Sequence, residues 1–340
     1  MKLSCFSVVD HYPADRYPGH HRTVADRYRE LLEDCELAER LGYEIFFVAE
    51  HHFDEYGVIP NPAVWLAAAA ARTTRIGLAP AIAVLPFRDP RILAEDYAVL
   101  DQLCAGRLVF GVGSGYLRHE FEGFNIDGRS KRALFDESLA IVRRLWRGER
   151  VRHAGPRYAL DDVALNVLPY GGREPETYIA VLREEAAYHI GRAGENLMTV
   201  PYATVDRFEE IGRLIDAYRR GAAEAGHRPR SLVALHTYVA ESDADARADA
   251  ERAFDLYVAT RKYAKSQTYG DILESGLSLF GSVDTVADKL VALHGMGVDH
   301  VMALYTFGDL PPERARRSLR LLAERALPAA RARIGAATDR

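Results

Sequence analysis

The sequence of 340 residues predicts an α/β fold of the (β/α)8 TIM-barrel type, one domain over residues 1–330, on three observations. Short apolar, β-branched runs alternate with stretches of helical spacing, and strands that alternate with helices imply parallel pairing. The alternation continues past the middle of the chain with no linker to split it, and barrels commonly reach this length. Titratable residues cluster directly after apolar runs, as in a barrel that delivers its chemistry at the carboxyl ends of its strands.

Taken in order, residues 3–9 form the first strand and run into the polar stretch Asp10-His11-Tyr12-Pro13. Leu31, Leu32, Cys35, Leu37, Ala38 and Leu41 recur at helical spacing within 23–41, and Gly42 closes that helix as a C-cap. Strand 45–49, Ala-rich helix 62–71, strand 75–84 despite Pro80, helix 91–104 and strand 108–112 follow. In the helix 131–146, Leu134, Leu139, Val142 and Leu145 share one side. No helix fits 151–170, where Pro156, Pro169 and the alternation around Tyr158 predict a small β insertion before the fifth strand, 177–181. Helix 184–193, strand 197–201, helix 205–225 and strand 231–240 resume the rhythm. After this seventh strand comes a second insertion: a charged amphipathic helix, 243–262, and a stretch rich in Gly, Ser and Tyr, 266–281, expected as a mobile excursion over the barrel mouth. Helix 283–294, strand 298–305 and helix 313–327 complete the eighth unit. Residues 331–340, Ala- and Arg-rich without an apolar stripe, are expected to fray.

With 48% hydrophobic and 27% charged residues the chain can bury a large core. A net charge of -5 gives no general attraction to nucleic acid or anionic membrane. No apolar run reaches the roughly 18 residues of a membrane span. Cys5, Cys35 and Cys104 lie far apart without a Cys-x-x-Cys pair, the pattern of reduced thiols in a cytoplasmic protein.

The chemistry concentrates in Phe46-Phe47-Val48-Ala49-Glu50-His51-His52-Phe53-Asp54-Glu55-Tyr56-Gly57. Strand alternation puts His51 on the face of Ala49 and Phe47, and His52 on that of Glu50 and Val48, so one imidazole should face the site and the other its packing. An imidazole in a site moves protons near neutral pH; a core histidine satisfied by a backbone carbonyl is the alternative. A buried Glu50 needs a partner, and Arg75 or His52 is available. Adjacent side chains point apart and no His-x-His or His-Glu-x-x-His occurs, so no metal site is expected. Gly111-Val112-Gly113-Ser114-Gly115 lacks the spacing and the following acid of a dinucleotide fingerprint. Its glycines either let a ligand approach the backbone, with Ser114 near a phosphate, or serve a turn. His11, Tyr12, Tyr116, His119, Phe121, Tyr202, His236, Tyr238 and Phe307 follow strand ends, and an aromatic mouth of this kind suits a small apolar organic substrate.

The run Ala49-Glu50-His51-His52-Phe53 with Glu55, Gly57 and Asn61-Pro62 resembles the bacterial luciferase-like flavin-dependent monooxygenases. So do Val84-Leu85-Pro86, the run from Ala94 to Leu103, Gly106-Arg107-Leu108-Val109-Phe110-Gly111, Phe280-Gly281-Ser282 and Gly297-Val298-Asp299-His300, in one order over nearly the whole chain. The resemblance implies a two-component monooxygenase. Reduced FMN (FMNH2) from a separate NAD(P)H:flavin reductase meets O2, and a C4a-peroxyflavin passes one oxygen to the substrate while the other leaves as water. It sets His51 beside the reactive edge of the flavin, a non-proline cis peptide at Ala81-Ile82 under the isoalloxazine, and Arg132, heading a helix, on the flavin phosphate. Arg183 departs from the small hydroxyl residue usual after strand five; it would complete the phosphate cradle, with Glu184 and Glu185 capping the helix behind it. Family members pair through helices beside strands two and three, which makes a homodimer the expectation. A related F420-dependent group transfers hydride on the same barrel, and a non-catalytic flavin-binding protein is a third reading. The Glu50-His51-His52-Phe53 run and Arg132 favour FMN.

Overall fold

A computed structural model describes residues 1–228, 230–261, 267–298 and 300–338. Its first half runs β1 (Lys2–Ser7), α1 (Val24–Arg40), β2 (Ile45–Val48), α2 (Pro62–Ala70), β3 (Gly77–Pro80), β4 (Ala83–Val84), α3 (Pro90–Leu103), β5 (Val109–Gly113), α4 (Arg118–Gly123) and α5 (Lys131–Trp146). Next come β6 (Val151–Ala154), β7 (Ala159–Val163), β8 (Glu176–Ala180), α6 (Glu184–Arg192), β9 (Asn196–Thr199), α7 (Glu210–Glu224) and β10 (Ser231–Ala240). The last elements are α8 (Asp243–Thr260), α9 (Tyr269–Glu274), β11 (Ser278–Ser282), α10 (Val283–Gly295), β12 (His300–Thr306), α11 (Pro312–Leu321) and α12 (Leu327–Thr338).

The strands lie in the order β3-β2-β1-β12-β10-β9-β8-β5-β4, every pairing in this path parallel. β3 and β4 are two halves of one barrel strand, interrupted at Ala81-Ile82. A parallel bridge between Leu78 and Leu108 joins the two ends of the path, so the sheet closes into the expected ring of eight strand positions. Strand interiors such as Phe46, Phe47, Leu78, Phe110, Leu197 and Leu235 are fully buried, because both faces of a parallel sheet are covered. Helix starts follow local chemistry: Thr23 and Asp26 make a reciprocal capping box on α1, and Asp89 caps α3 with Pro90 at its first turn. Arg107, in the turn from α3 to β5, donates to the carbonyls of Cys104 at 2.8 Å, Ile76 at 2.7 Å, Thr73 at 3.0 Å and Ala70 at 3.3 Å, and so clamps the end of α2 to the start of β3.

The insertion before the fifth barrel strand is the antiparallel hairpin β6–β7. The insertion after the seventh differs from its expectation. Residues 262–266 lie outside the described residues, but from Tyr269 onward the chain folds as α9 and then β11, which pairs in parallel with the carboxyl half of β10 from His236 to Ala240. Leu277, Leu279 and Phe280 are buried there, a short apolar core hidden in the sequence by glycines and serines on either side. The tail also differs from the fraying expected of it. α11 passes through one π-helical turn, Leu322–Ala326, into α12, which runs to Thr338. Pro328 has no N–H to offer the preceding turn, and the widened turn absorbs that loss. Arg333 holds α12 down on Asp284 and Asp288 at 2.5 Å each, and Arg331 reaches the Met1 carbonyl at 2.9 Å. Residues 339–340 lie outside the described residues. Among the described residues no helix is long and apolar enough to cross a membrane.

Candidate functional site

At the carboxyl end of β2 the chain delivers two buried imidazoles to two different acids. The His51 Nδ1 lies 3.1 Å from Glu120 Oε1, on α4, while the His52 Nε2 lies 3.0 Å from Glu50 Oε1. The alternation expected along this run is therefore real, and of the two partners proposed for Glu50 the structure selects His52. Arg75 instead lies at the protein surface, its backbone N–H donating to Glu39. The second Glu50 oxygen accepts the Val84 N–H at 3.2 Å and ties the end of β2 to β4. Three phenylalanine rings, Phe53, Phe87 and Phe124, pack around His52 with centroids 4.8–5.7 Å away, so this imidazole belongs to the packing. His51 stacks at a tilt on Tyr56, 4.7 Å between centroids, and meets the half-exposed Tyr116 edge-on.

Beside this corner the peptide between Ala81 and Ile82 is cis, at the position the resemblance implied. The Ala81 N–H donates to the Val48 carbonyl at 2.7 Å, so the cis peptide sits one strand from the root of the histidine run. Ala81 and Ile82 are both partly exposed. The glycines of β5 serve this ledge. A Cβ on Gly111 would lie 2.3 Å from the Pro80 carbonyl oxygen, and one on Gly113 would lie 2.2 Å from the Ile82 Cδ1. At Gly113 the group that approaches the backbone is the Ile82 side chain. Ser114 follows, half-buried.

Arg132 and Arg183 head α5 and α6. α6 carries no side-chain cap, which leaves its first-turn amides open to an anion, whereas α5 continues from the turn Gly128–Ser130, whose start Asp127 caps. Arg183 and Glu184 border a cavity of about 570 Å³ with Tyr188 and Arg220. Arg132 stands apart from it, largely exposed, paired with Asp136 at 2.8 Å and lying over Phe135. The structure thus brings Ala81, Ile82 and Gly113 together beside the strand end that carries His51, groups Arg183 with Glu184, and leaves Arg132 on its own helix.

Deeper in the mouth His236, on β10, is fully buried, and among the described residues neither ring nitrogen has a hydrogen-bond partner. Burial first, and the Arg261 charge second, hold its pKa well below the ordinary imidazole value, so it is neutral. Tyr202, Phe254 and Tyr257 surround it at 4.3, 5.0 and 5.4 Å, with Phe307 beyond. Two of these rings come from α8, so the second insertion roofs the barrel. Tyr257 Oη is 3.1 Å from Tyr56 Oη, which connects this aromatic box to the ring packed on His51. Tyr238 does not join the box; it donates to Asp249 at 2.9 Å.

A second cavity, of about 740 Å³, opens at the amino ends of the strands, where Lys2, Ile45, Gly77, Val109, Ser231 and His300 line it. None of the expected site residues borders it, and barrels of this type work at the opposite end. Glu120 is the site residue that sequence reasoning missed. Leu117, Glu120 and Phe121 share one face of α4 at helical spacing, so an acid on an apolar stripe was the available signal, carried by a helix of only six residues. Among the described residues no group of three or more His, Cys, Asp or Glu is arranged to hold a metal ion.

Residues 1–300 match the family model described as luciferase-like monooxygenase. The crystal structure of monooxygenase RslO1 from Streptomyces bottropensis is similar with a TM-score of 0.86 at 30% identity, over 96% of this chain and 99% of that one. The oxygenase component of a flavin-dependent trigonelline monooxygenase from Acinetobacter baylyi is 24% identical over 332 residues, 91% of each chain. An F420-dependent glucose-6-phosphate dehydrogenase from Mycolicibacterium gilvum is 31% identical over 209 residues, 59% of this chain and 61% of its own length.

Proposed function

The chain belongs to the luciferase-like monooxygenase family, and from that premise we propose that it is the oxygenase component of a two-component monooxygenase that takes reduced FMN from a separate NAD(P)H:flavin reductase. The observation that carries this reading is the juxtaposition of a buried imidazole, His51, with the partly exposed ledge of Ala81 and Ile82 one strand away. A planar ring laid against that ledge would present its edge to His51. Ser114, Arg183 and the amides at the head of α6, from Glu184 on, would hold the phosphate, with Arg132 reaching it on leaving Asp136; the uncapped start of α6 supports that assignment. When bound, reduced FMN supplies the electron pair that splits O2, so that substrate, O2 and FMNH2 give oxygenated substrate, water and FMN. The protein contributes orientation, the His51 imidazole as a proton acceptor, and an aromatic box that excludes water.

Within that box the substrate is a small apolar organic molecule. The neutral imidazole of His236, with both nitrogens unpartnered among the described residues, would meet a single polar atom on it, because burying those nitrogens without a partner costs about 1–3 kcal/mol. Three buried, unbonded cysteines accord with a reducing, cytoplasmic setting.

The test is to mix apoprotein anaerobically with FMNH2, add 18O2 and a panel of apolar ketones and aldehydes, and follow flavin reoxidation and product mass together. Label in the product and delayed return of oxidised-flavin absorbance support the reading. Reoxidation at the rate of free flavin with no labelled product would overturn it. Reduction of F420 by an alcohol or sugar phosphate would replace it with an F420-dependent dehydrogenase, the activity named for the relative from Mycolicibacterium gilvum.

A further inference from the structure

Glu120 is 2% exposed, yet among the described residues no lysine or arginine pairs with it. Its Oε1 accepts two hydrogen bonds: from the His51 ring through Nδ1 at 3.1 Å and from the His52 backbone N–H at 2.9 Å. The second bond matters for the first. A backbone N–H can only donate and an ionised carboxylate can only accept, so with Glu120 ionised the His51 nitrogen that shares Oε1 carries the proton. That assigns the His51 tautomer without reference to any ligand: Nδ1 is protonated and, in the neutral ring, Nε2 keeps its lone pair. The tilted contact with Tyr56 at 4.7 Å and the edge contact with Tyr116 at 6.2 Å hold the ring against rotation.

A full charge is more than this geometry requires. A glutamine side chain at 120 would place its carbonyl oxygen at the same point, accept from the same two N–H groups and spare the protein a buried carboxylate, which is expensive without a cationic partner. The charge has a use only when the ring it faces becomes positive. We infer that Glu120 is the positioning residue of His51: it fixes Nε2 as the proton-accepting atom and stabilises the imidazolium formed when Nε2 takes a proton from the bound ligand. The proton returns to the oxygen released as water, and the ring ends the cycle neutral. The inference rests on the reading of His51 as a participant in the oxygenation, and it separates the geometric part of Glu120's work from the electrostatic part.

Those two parts are read by different variants. In protein labelled with 15N at histidine, the His51 resonances of the wild type and of Glu120→Gln report a protonated Nδ1 and a bare Nε2, while Glu120→Ala loses that preference. This arm needs neither flavin nor substrate, so it decides the tautomer even if the enzyme proves to be a hydride-transfer catalyst. In turnover with FMNH2, Glu120→Gln lowers kcat by about 10²-fold, with the melting temperature and the KM for flavin unchanged, and Glu120→Ala falls further. A protonated Nε2 in the wild type overturns the inference. So does a Glu120→Gln variant with kcat within twofold of wild type, since a carboxylate that only ties α4 to the residues after β2 is replaced there without loss. His51→Gln measured in the same assay distinguishes the two levels: full activity in that variant would sink the role given to His51 itself, whatever Glu120 does.

Discussion

His51 is set apart from its neighbour by what each ring is given to touch. His52 is enclosed by phenylalanine rings and tied to Glu50, whereas His51 has tyrosines beside it and one nitrogen already committed to Glu120. Removing the His51 ring should therefore remove chemistry and leave the fold intact. His51→Gln is expected to lower product formation by about 10²- to 10⁴-fold while flavin affinity, measured by fluorescence quenching, changes little. A comparable loss of flavin affinity would show that the ring holds the cofactor and does not act on it. Residue 51 could be singled out from the sequence because strand alternation and a matching motif both point at it, and residues 81–82 because of the family resemblance alone. Glu120 could not, since its partners stand 68 and 69 positions away in the chain and only the folded barrel brings them together.

Arg107 shows how a loop residue governs the elements around it. Its guanidinium satisfies four carbonyls and the Thr73 hydroxyl, closing the open end of α2 and the turn after α3 onto the strand between them. Arg107→Ala should lower the unfolding free energy in urea by about 2–4 kcal/mol. Arg107→Lys should recover only part of it, because an ammonium has no planar fork to divide among carbonyls facing different ways. If the lysine variant equals wild type, the clamp is electrostatic and not directional. The long elements were legible for a simple reason: α1, α3 and α5 bury a face wide enough to impose a helical period on the sequence, and β10 is a long, almost wholly buried apolar run. α4, α9 and β11 were not, because five or six residues hold less than two turns, or a strand framed by glycine and serine, and their burial is decided by what they land on. The tail helix α12 has no apolar stripe; three arginine contacts to residues distant in sequence hold its described part in place.

The closed ring places a buried base at its amino end. His300, at the start of β12, has its Nε2 2.7 Å from Ser4 Oγ, and burial, followed by the charges of Lys2 and the Met1 amino group, lowers its pKa from 6.5 to about 3. Between those values the unfolded chain binds a proton that the folded chain refuses. Stability is thus complete above about pH 6.5 and is lost as the pH falls toward 3, by about 2 kcal/mol at pH 5. Urea melts at pH 7 and pH 5 should show this loss, and His300→Asn should remove most of the difference; an unchanged difference would assign it to other groups. On the outside, Val64, Ile92 and Leu103 expose large apolar side chains on the adjacent helices α2 and α3. If the protein pairs through these helices, Leu103→Glu should convert a dimer to a monomer in sedimentation, and a wild type that sediments as a monomer would end that reading. The two carboxylate–imidazole pairs also restrict how this gene can drift. Because the rings of His51 and His52 leave the backbone on opposite sides, deleting one residue of β2 would bring His52 to face Glu120 and turn His51 away from it. Changes in length are absorbed more readily in an open turn such as that at Gly172, where an added side chain would meet nothing within 4 Å.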